Sequence, residues 1–598
     1  MIKLNISCLI ITIAALLVTG AVQSQPVDEN LITNEMLLNP DPADWLLFSR
    51  TYDNHRFSPL DQVNRSNVKN LKMEWSRGML PGTQEIIPLV YKGVMYVIHP
   101  AFEDDVIIVQ ALDATNGKLV WEYRREIADD ISEYASITRN RVMSLYQDKL
   151  YYSTPDGYIV ALGADNGELH WEVKEHDYTK GTKNTTGPIV VGGKVITGRN
   201  CEYGDDMRTE CFIAAHDAMT GDEVWRFTVP AGPDEPGGDT WGNKPEGSRT
   251  CSPWGLPAGY NPEHNLIYWM VGNSSPHTRM KRYDGDPFAI PLTSPVELYC
   301  NTTLALDLDS GELSWYYQYL PGDDWDYDPA HEQVRFTSAI NPDPDTVKWI
   351  NPNIPRGEVR EMLVGVAETG GLWVLDALSG EFIWAMPFPF DVPEFYLSDI
   401  DVETGLTSIS RDMILTEDKQ VVEKICFSNT KSYWPMAYHP GRNALYIPYH
   451  DACDKRTGAL MTGNGHFMQP LIRTSPDADD WVGIAKVDME TGHIDRIYTQ
   501  RAPSNGAVLL TAGELVFWGD MDRRFRALDA DNGDILWEAI VGGIIQNSTI
   551  TYAVNDKQYI AILTGEGTGG TASKAALVPE MDIVRGHNAI YVFALPEN

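Results

Sequence analysis

Ala111-Leu-Asp-Ala-Thr-Asn-Gly-Lys-Leu-Val-Trp121 decides the fold, because it returns along the chain. The copies are Ala161-Leu-Gly-Ala-Asp-Asn-Gly-Glu-Leu-His-Trp171, Ala215-His-Asp-Ala-Met-Thr-Gly-Asp-Glu-Val-Trp225 and Ala305-Leu-Asp-Leu-Asp-Ser-Gly-Glu-Leu-Ser-Trp315. They continue as Val374-Leu-Asp-Ala-Leu-Ser-Gly-Glu-Phe-Ile-Trp384 and Ala527-Leu-Asp-Ala-Asp-Asn-Gly-Asp-Ile-Leu-Trp537. A degenerate copy, residues 486–496, ends in Arg496 where the others end in Trp. Each copy reads as a hairpin: an apolar strand, a turn whose Gly takes a positive φ, then a second strand. The Trp supplies a large apolar face to fill the gap between neighbouring sheets.

Seven copies at uneven spacing predict an all-β propeller with long insertions rather than a solenoid. An eighth blade forms if the C-terminal run Tyr591-Val-Phe-Ala-Leu595 pairs with strands near Leu71-Lys-Met-Glu-Trp75. The expectation is therefore an eight-bladed β-propeller closed by its N- and C-terminal strands, with no open sheet edge. Such a fold hosts many functions and carries no chemistry by itself.

A formal charge of −37 argues against nucleic-acid binding, which needs a basic footprint. Lys3 followed by an apolar run from Cys8 to Val22 predicts a cleaved secretion signal over residues 1–24. The mature domain then spans residues 25–598, with no integral membrane segment and a periplasmic location. Removal of Cys8 leaves Cys201, Cys211, Cys251, Cys300, Cys426 and Cys453, an even set suited to disulfides in an oxidising compartment. Six cysteines allow fifteen connectivities, and Cys201–Cys211 is the first pair to test. No Cys-x-x-Cys-His occurs, which excludes covalent c-type haem on this chain.

From about Asp44 onward the chain resembles the pyrroloquinoline-quinone (PQQ) dependent alcohol dehydrogenases, whose docking motif is the repeat above. Asp44-Trp45, Arg56-Phe-Ser-Pro59, Thr83-Gln-Glu-Ile-Ile-Pro-Leu-Val90, Pro321-Gly-Asp-Asp-Trp-Asp-Tyr-Asp328 and residues 505–513 carry the likeness. Cys201…Cys211 and residues 316–325 resemble the lupanine-hydroxylase-like branch most. The resemblance implies Glu202 and Asn273 as ligands of Ca²⁺, which takes oxygen donors and leaves room for the quinone. It implies Trp254 as the floor beneath the flat cofactor. Glu85, Arg141, Thr154 and Asn505 fall on cofactor-binding positions, and a guanidinium grips one PQQ carboxylate bidentately.

Other positions depart from the family pattern. Counting back from Asp307 puts Val296 where the catalytic base is expected, and a slip of one gives Glu297, taken as the general base. A vicinal Cys pair is replaced by Ala135-Ser136, a Lys or Arg at the quinone edge by Glu368, and Trp-Asn-Gly by Ser504-Asn-Gly506. Lanthanide-type members add an acid two residues after the base, where this count finds Leu298 or Tyr299. Calcium is accordingly the expected metal. The implied function is oxidation of an alcohol, of bulky or heterocyclic type, with electrons passing to an external acceptor such as cytochrome c. Two alternatives stay open: a PQQ-binding but catalytically impaired homologue, motivated by Val296 and Glu368, and a non-enzymatic propeller scaffold.

Overall fold

The computed structural model describes residues 31–99, 106–134, 141–201, 206–458, 467–567 and 569–597. The expected signal segment, Glu202 and Ala135-Ser136 lie outside them. Strands dominate, and the α-helices among the described residues are short: Asn34–Leu38, Ile131–Tyr134, Arg279–Arg282 and Gly569–Ala575. No helix among them is long and apolar enough to cross a membrane.

Among the described residues the strands form eight sheets of four or five members, plus two smaller ones. Leu89–Tyr91, Val94–His99, Val106–Asp113 and Leu119–Glu126 make one such sheet by successive antiparallel pairing. Its first two strands are almost wholly buried, whereas the last alternates exposed and buried residues, as a strand facing solvent should. The C-terminal strand Ala589–Ala594 pairs antiparallel with Lys72–Gly78, from Lys72 opposite Ala594 to Gly78 opposite Ala589. This is the pairing expected from the sequence.

The repeat explains how sheets attach. Asp113 Oδ1 accepts the Thr115 N–H at 2.9 Å, and Gly117 turns the chain with φ +73°. Asp217, Asp307, Asp376, Asp488 and Asp529 make the same local bond in their copies. At five of the turn glycines the missing Cβ is the space that the Trp of the preceding sheet occupies. A methyl group at Gly167 would lie 2.6 Å from the Trp121 ring, and one at Gly117 equally close to Trp75. Trp171 meets Gly221, Trp225 meets Gly311, and Trp315 meets Gly380 in the same way. In the degenerate copy Arg496 leaves the interface to lie over Phe390, and Ile497 takes the contact with Gly533.

Hydrogen bonds reinforce these seams. The Ala164 carbonyl accepts both Trp121 Nε1 at 3.0 Å and the Tyr96 hydroxyl at 3.1 Å. Ala218 likewise receives Trp171 and Tyr151, and Ala114 receives Trp75 and Tyr552. Trp537 Nε1 reaches the Leu71 carbonyl at 3.1 Å, beside the strand Lys72–Gly78. Each aromatic therefore buries its ring while its polar atom stays satisfied.

The six cysteines pair as Cys201–Cys211, Cys251–Cys300 and Cys426–Cys453. The third bridge joins strands Val421–Cys426 and Ala452–Thr457 of a small three-stranded sheet inserted outside the repeats.

Candidate active site

One loop from each of the eight larger sheets, just ahead of a largely buried strand, contributes to a single polar centre. Glu85 precedes Leu89–Tyr91, Arg141 precedes Ser144–Tyr146, Thr185 precedes Ile189–Val191, and Trp254 precedes Gly259–Asn261. Asp328 and His331 precede Val334–Ala339, and Tyr433 precedes Ala437–His439. Asn505 precedes Leu509–Thr511, and Gln546 precedes Ile550–Val554.

Arg141 organises one side. Its guanidinium pairs with Glu85 at 2.9 Å, both side chains fully buried, and donates to the Thr185 carbonyl at 2.9 Å. It lies 5.2 Å over the Trp254 ring and 4.9 Å over Tyr433, so an arginine and two aromatic faces bound the same space. Thr185 and Thr186 both donate to the Trp254 carbonyl, which fixes the indole's backbone.

The acidic side is built from Asp326 and Asp328. Trp254 Nε1 donates to Asp328 Oδ2, the Asn273 N–H donates to Asp328 Oδ1 at 2.6 Å, and Asn273 Nδ2 donates to Asp326 Oδ1 at 3.0 Å. A side chain at Gly272 would collide with the Asp328 carboxylate, so glycine permits this approach. The crowding of surrounding protein raises Asp326 although 36% of its side chain is exposed, against a hydrogen bond from Asn273. Burial, with the charges of Asp326 and Glu368, carries Asp328 well above the usual range. Two crowded carboxylates with raised pKa values are a donor set that a cation would stabilise in its charged form. Glu368 is raised to about 8, by burial first, and faces His331 Nε2 at 3.5 Å.

Of the residues singled out by sequence, Glu85, Arg141, Trp254 and Asn273 come together here. Asn505 belongs to the same centre, where its Oδ1 accepts Lys574 Nζ at 2.5 Å. The Thr154 hydroxyl accepts the Tyr158 N–H at 2.9 Å, and among the described residues it makes no hydrogen bond to Arg141, Glu85 or Trp254.

Glu297, expected from the sequence as the general base, is held in a buried ion pair. Its carboxylate is fully buried and bound to Arg282 Nε at 2.9 Å and the Tyr283 hydroxyl at 2.8 Å. Arg282 in turn donates to the Pro276, His277 and Asp323 carbonyls. This ion pair props the chain behind Asn273 and offers no open face to a substrate. Asp326 keeps 36% of its side chain exposed and borders Asn273 directly. The sequence reading did not single it out, because the acids sit in the loop after the docking hairpin, in Trp325-Asp-Tyr-Asp328. An acid pair two residues apart was the available signal.

The site fits a flat, polyanionic cofactor. In these same loops Arg141 Nε, the Asn184 and Asn547 amides, Gln546 Oε1 and Thr430 Oγ1 are buried without hydrogen-bond partners among the described residues. Buried polar atoms seldom stay unpaired, and a ligand rich in carboxylate and carbonyl oxygens would satisfy the donors. The half-buried Trp254 indole supplies a flat face beside them. Among the described residues no three His, Cys, Asp or Glu side chains form a ready metal cluster, and the available donors are Asp326, Asp328 and the Asn273 amide.

The family model for the glucose/ethanol/alcohol dehydrogenase β-propeller domain, which carries PQQ in its name, matches residues 45–387 and 482–560. The chain belongs to the PQQ-dependent dehydrogenase family. Among curated members of this family, quinohemoprotein alcohol dehydrogenase ADH IIB of Pseudomonas putida is 31% identical over 590 residues, covering 92% of this chain and 78% of the relative. Quinoprotein alcohol dehydrogenase PedH, also of Pseudomonas putida, is 27% identical, covering 93% and 91%. Of solved family structures, quinohemoprotein alcohol dehydrogenase ADHIIG from Pseudomonas putida superposes with a TM-score of 0.78 at 25% identity, covering 94% of this chain and 82% of that one. A europium-containing methanol dehydrogenase gives 0.77 at 25% identity, covering 94% and 100%.

Proposed function

We propose that this protein is a periplasmic PQQ- and metal-dependent alcohol dehydrogenase, with Asp326 as its general base. The observation that carries the reading is the meeting of Trp254, Arg141, Asn273, Asp326 and Asp328 in one centre. Trp254 is the floor for the cofactor, while Arg141, held in place by Glu85, grips its carboxylate edge. Asp328, Asp326 and the Asn273 amide hold the metal, with Glu202 as the further carboxylate that the family motif implies.

PQQ held here would supply a hydride acceptor for the alcohol, and the metal would make its carbonyl more electrophilic. The chain's own work is to orient the alcohol and take its hydroxyl proton at an Asp326 carboxylate oxygen. Asn273 Nδ2, donating to Asp326 Oδ1 at 3.0 Å, would fix that carboxylate's orientation. Two acids at positions i and i+2 favour a trivalent lanthanide over the Ca²⁺ first expected, because the extra carboxylate balances the extra charge.

We also read residues 25–598 as a single closed eight-bladed propeller. The support is the run of Trp-to-Gly contacts from sheet to sheet, together with Trp537 reaching Leu71. Electrons leave to an external acceptor, of which a c-type cytochrome is the expected kind. The substitutions at Glu368 and Ser504 favour a bulky alcohol.

The test is reconstitution of the purified protein with PQQ and either Ca²⁺ or La³⁺. Dye reduction is then followed with primary, secondary and cyclic alcohols. Metal-dependent turnover supports the proposal; PQQ retention with no turnover on any alcohol, with either metal, defeats it.

A further inference from the structure

We propose that Lys574 is the cationic donor to the anionic cofactor, filling the role that Glu368 cannot. The inference rests on the PQQ reading above and adds a binding residue to it. Lys574 comes from the short helix Gly569–Ala575, remote in sequence from every motif considered so far.

Its ammonium is buried in the centre just described. Nζ lies 2.5 Å from Asn505 Oδ1, 3.5 Å from the Ser504 carbonyl and 3.4 Å from the centroid of the Trp434 ring. Asn505 is itself tied to the helix by a 3.2 Å bond from Nδ2 to Thr571 Oγ1. Trp434 packs edge-on against Tyr433 at 5.3 Å, and Tyr433 lies beneath Arg141. Lys574 and Arg141 thus flank the same aromatic pair, two cations around one space.

The other buried cations of this centre have carboxylate partners: Arg141 has Glu85 at 2.9 Å, and Lys431 has Glu332 at 2.5 Å. Among the described residues Lys574 has no carboxylate within ion-pair distance, and its companions are neutral oxygens and a ring. Burial drives its ammonium well below the ordinary lysine range, and only the more distant Glu368 opposes that shift. A buried ammonium held this way is costly unless an anion completes its surroundings. A tricarboxylate quinone provides one. Glu368, which replaces a family cation, is meanwhile engaged with His331 and the Ser432 hydroxyl. The positive charge lost from one strand end returns from the C-terminal helix.

The test is PQQ titration of the folded protein with La³⁺ or Ca²⁺ present, read by quenching of tryptophan fluorescence and by the absorption band of the bound quinone. Lys574→Met should weaken PQQ binding by at least about tenfold and shift the band, since charge-assisted bonds are the strong ones. Adding Glu368→Lys to that variant should recover most of the affinity. Lys574→Gln carries the same test if Met impairs folding. Binding and spectrum unchanged in the folded variant would overturn the inference, as would a loss that Glu368→Lys leaves uncorrected. Wild-type protein that takes up no PQQ with either metal would instead defeat the proposed function.

Discussion

Trp254 and Asp328 form one unit: the indole N–H donates to a carboxylate oxygen whose twin accepts the Asn273 backbone N–H. The flat surface offered to a cofactor and the acid offered to a metal are therefore positioned by each other. Movement of either shifts the second, so cofactor and metal affinity should be coupled.

Replacing the acids should separate their roles. Asp326→Asn is expected to lower kcat by about 10²–10⁴ with PQQ still bound, the usual worth of a positioned base. Asp328→Asn should abolish turnover with La³⁺ and retain measurable turnover with Ca²⁺. Dye-linked assays with each metal decide both points. An Asp326→Asn enzyme with more than about a tenth of wild-type kcat would remove Asp326 as the base.

Glu297→Gln should act on stability. Breaking the buried pair with Arg282 is expected to cost about 3–5 kcal/mol, while kcat per folded molecule stays within about threefold of wild type. Burial alone would raise the Glu297 carboxyl, but Arg282, Lys244 and the Tyr283 bond hold it below its ordinary value near 4.5. Its folded-state value is thus lower than its unfolded one. Its stabilisation is complete above pH 4.5 and is lost as pH falls through the depressed folded value. Urea midpoints of the two proteins should therefore differ at pH 7 and converge in acid. Parallel midpoints at every pH would contradict this assignment.

The docking seams should respond to substitution on either side. Trp121→Ala is expected to cost about 3–5 kcal/mol by cavity formation. Gly167→Val should also destabilise, because φ is +74° and the added Cβ would meet the Trp121 ring at 2.6 Å. Equilibrium unfolding in urea measures both. A Gly167→Val protein as stable as wild type would mean that the seam yields.

Reduction should act most through Cys251–Cys300, whose cysteines are 49 residues apart, the longest loop of the three. Chain-entropy arithmetic for such a loop gives about 4 kcal/mol. The bridge ties the approach to Trp254 to the segment after Glu297, so Cys251→Ser/Cys300→Ser should lose PQQ affinity as well as thermal stability. Calorimetry and PQQ titration check the two effects; affinity equal to wild type would limit the bridge to stability.

The repeats were legible because everything that makes them is local. Asp113, the Gly117 turn and Trp121 lie within eleven residues, and their partners are further copies of the same pattern. Trp254 and Asn273 were legible for a similar reason, since each is embedded in a short motif. The proposed base, Asp326, was not, because counting along one strand assumes that neighbours in sequence are neighbours in the site. Val296 and Glu297 satisfy the count but fold behind the loop 273–278, and Asp326 enters from the far side of the hairpin. Lys574 had no local sign at all. Its importance comes from Asn505 and Trp434, supplied by other sheets.

The pairing of Lys72–Gly78 with Ala589–Ala594 sets an order on assembly. A strand near the beginning of the chain must wait, its hydrogen-bonding edge uncovered, until more than five hundred further residues have been synthesised. Before then the nascent protein offers a ready template for strand addition by other chains. The connectivity thus favours protection of this edge during synthesis, and truncation after residue 588 should yield aggregates rather than a smaller enzyme.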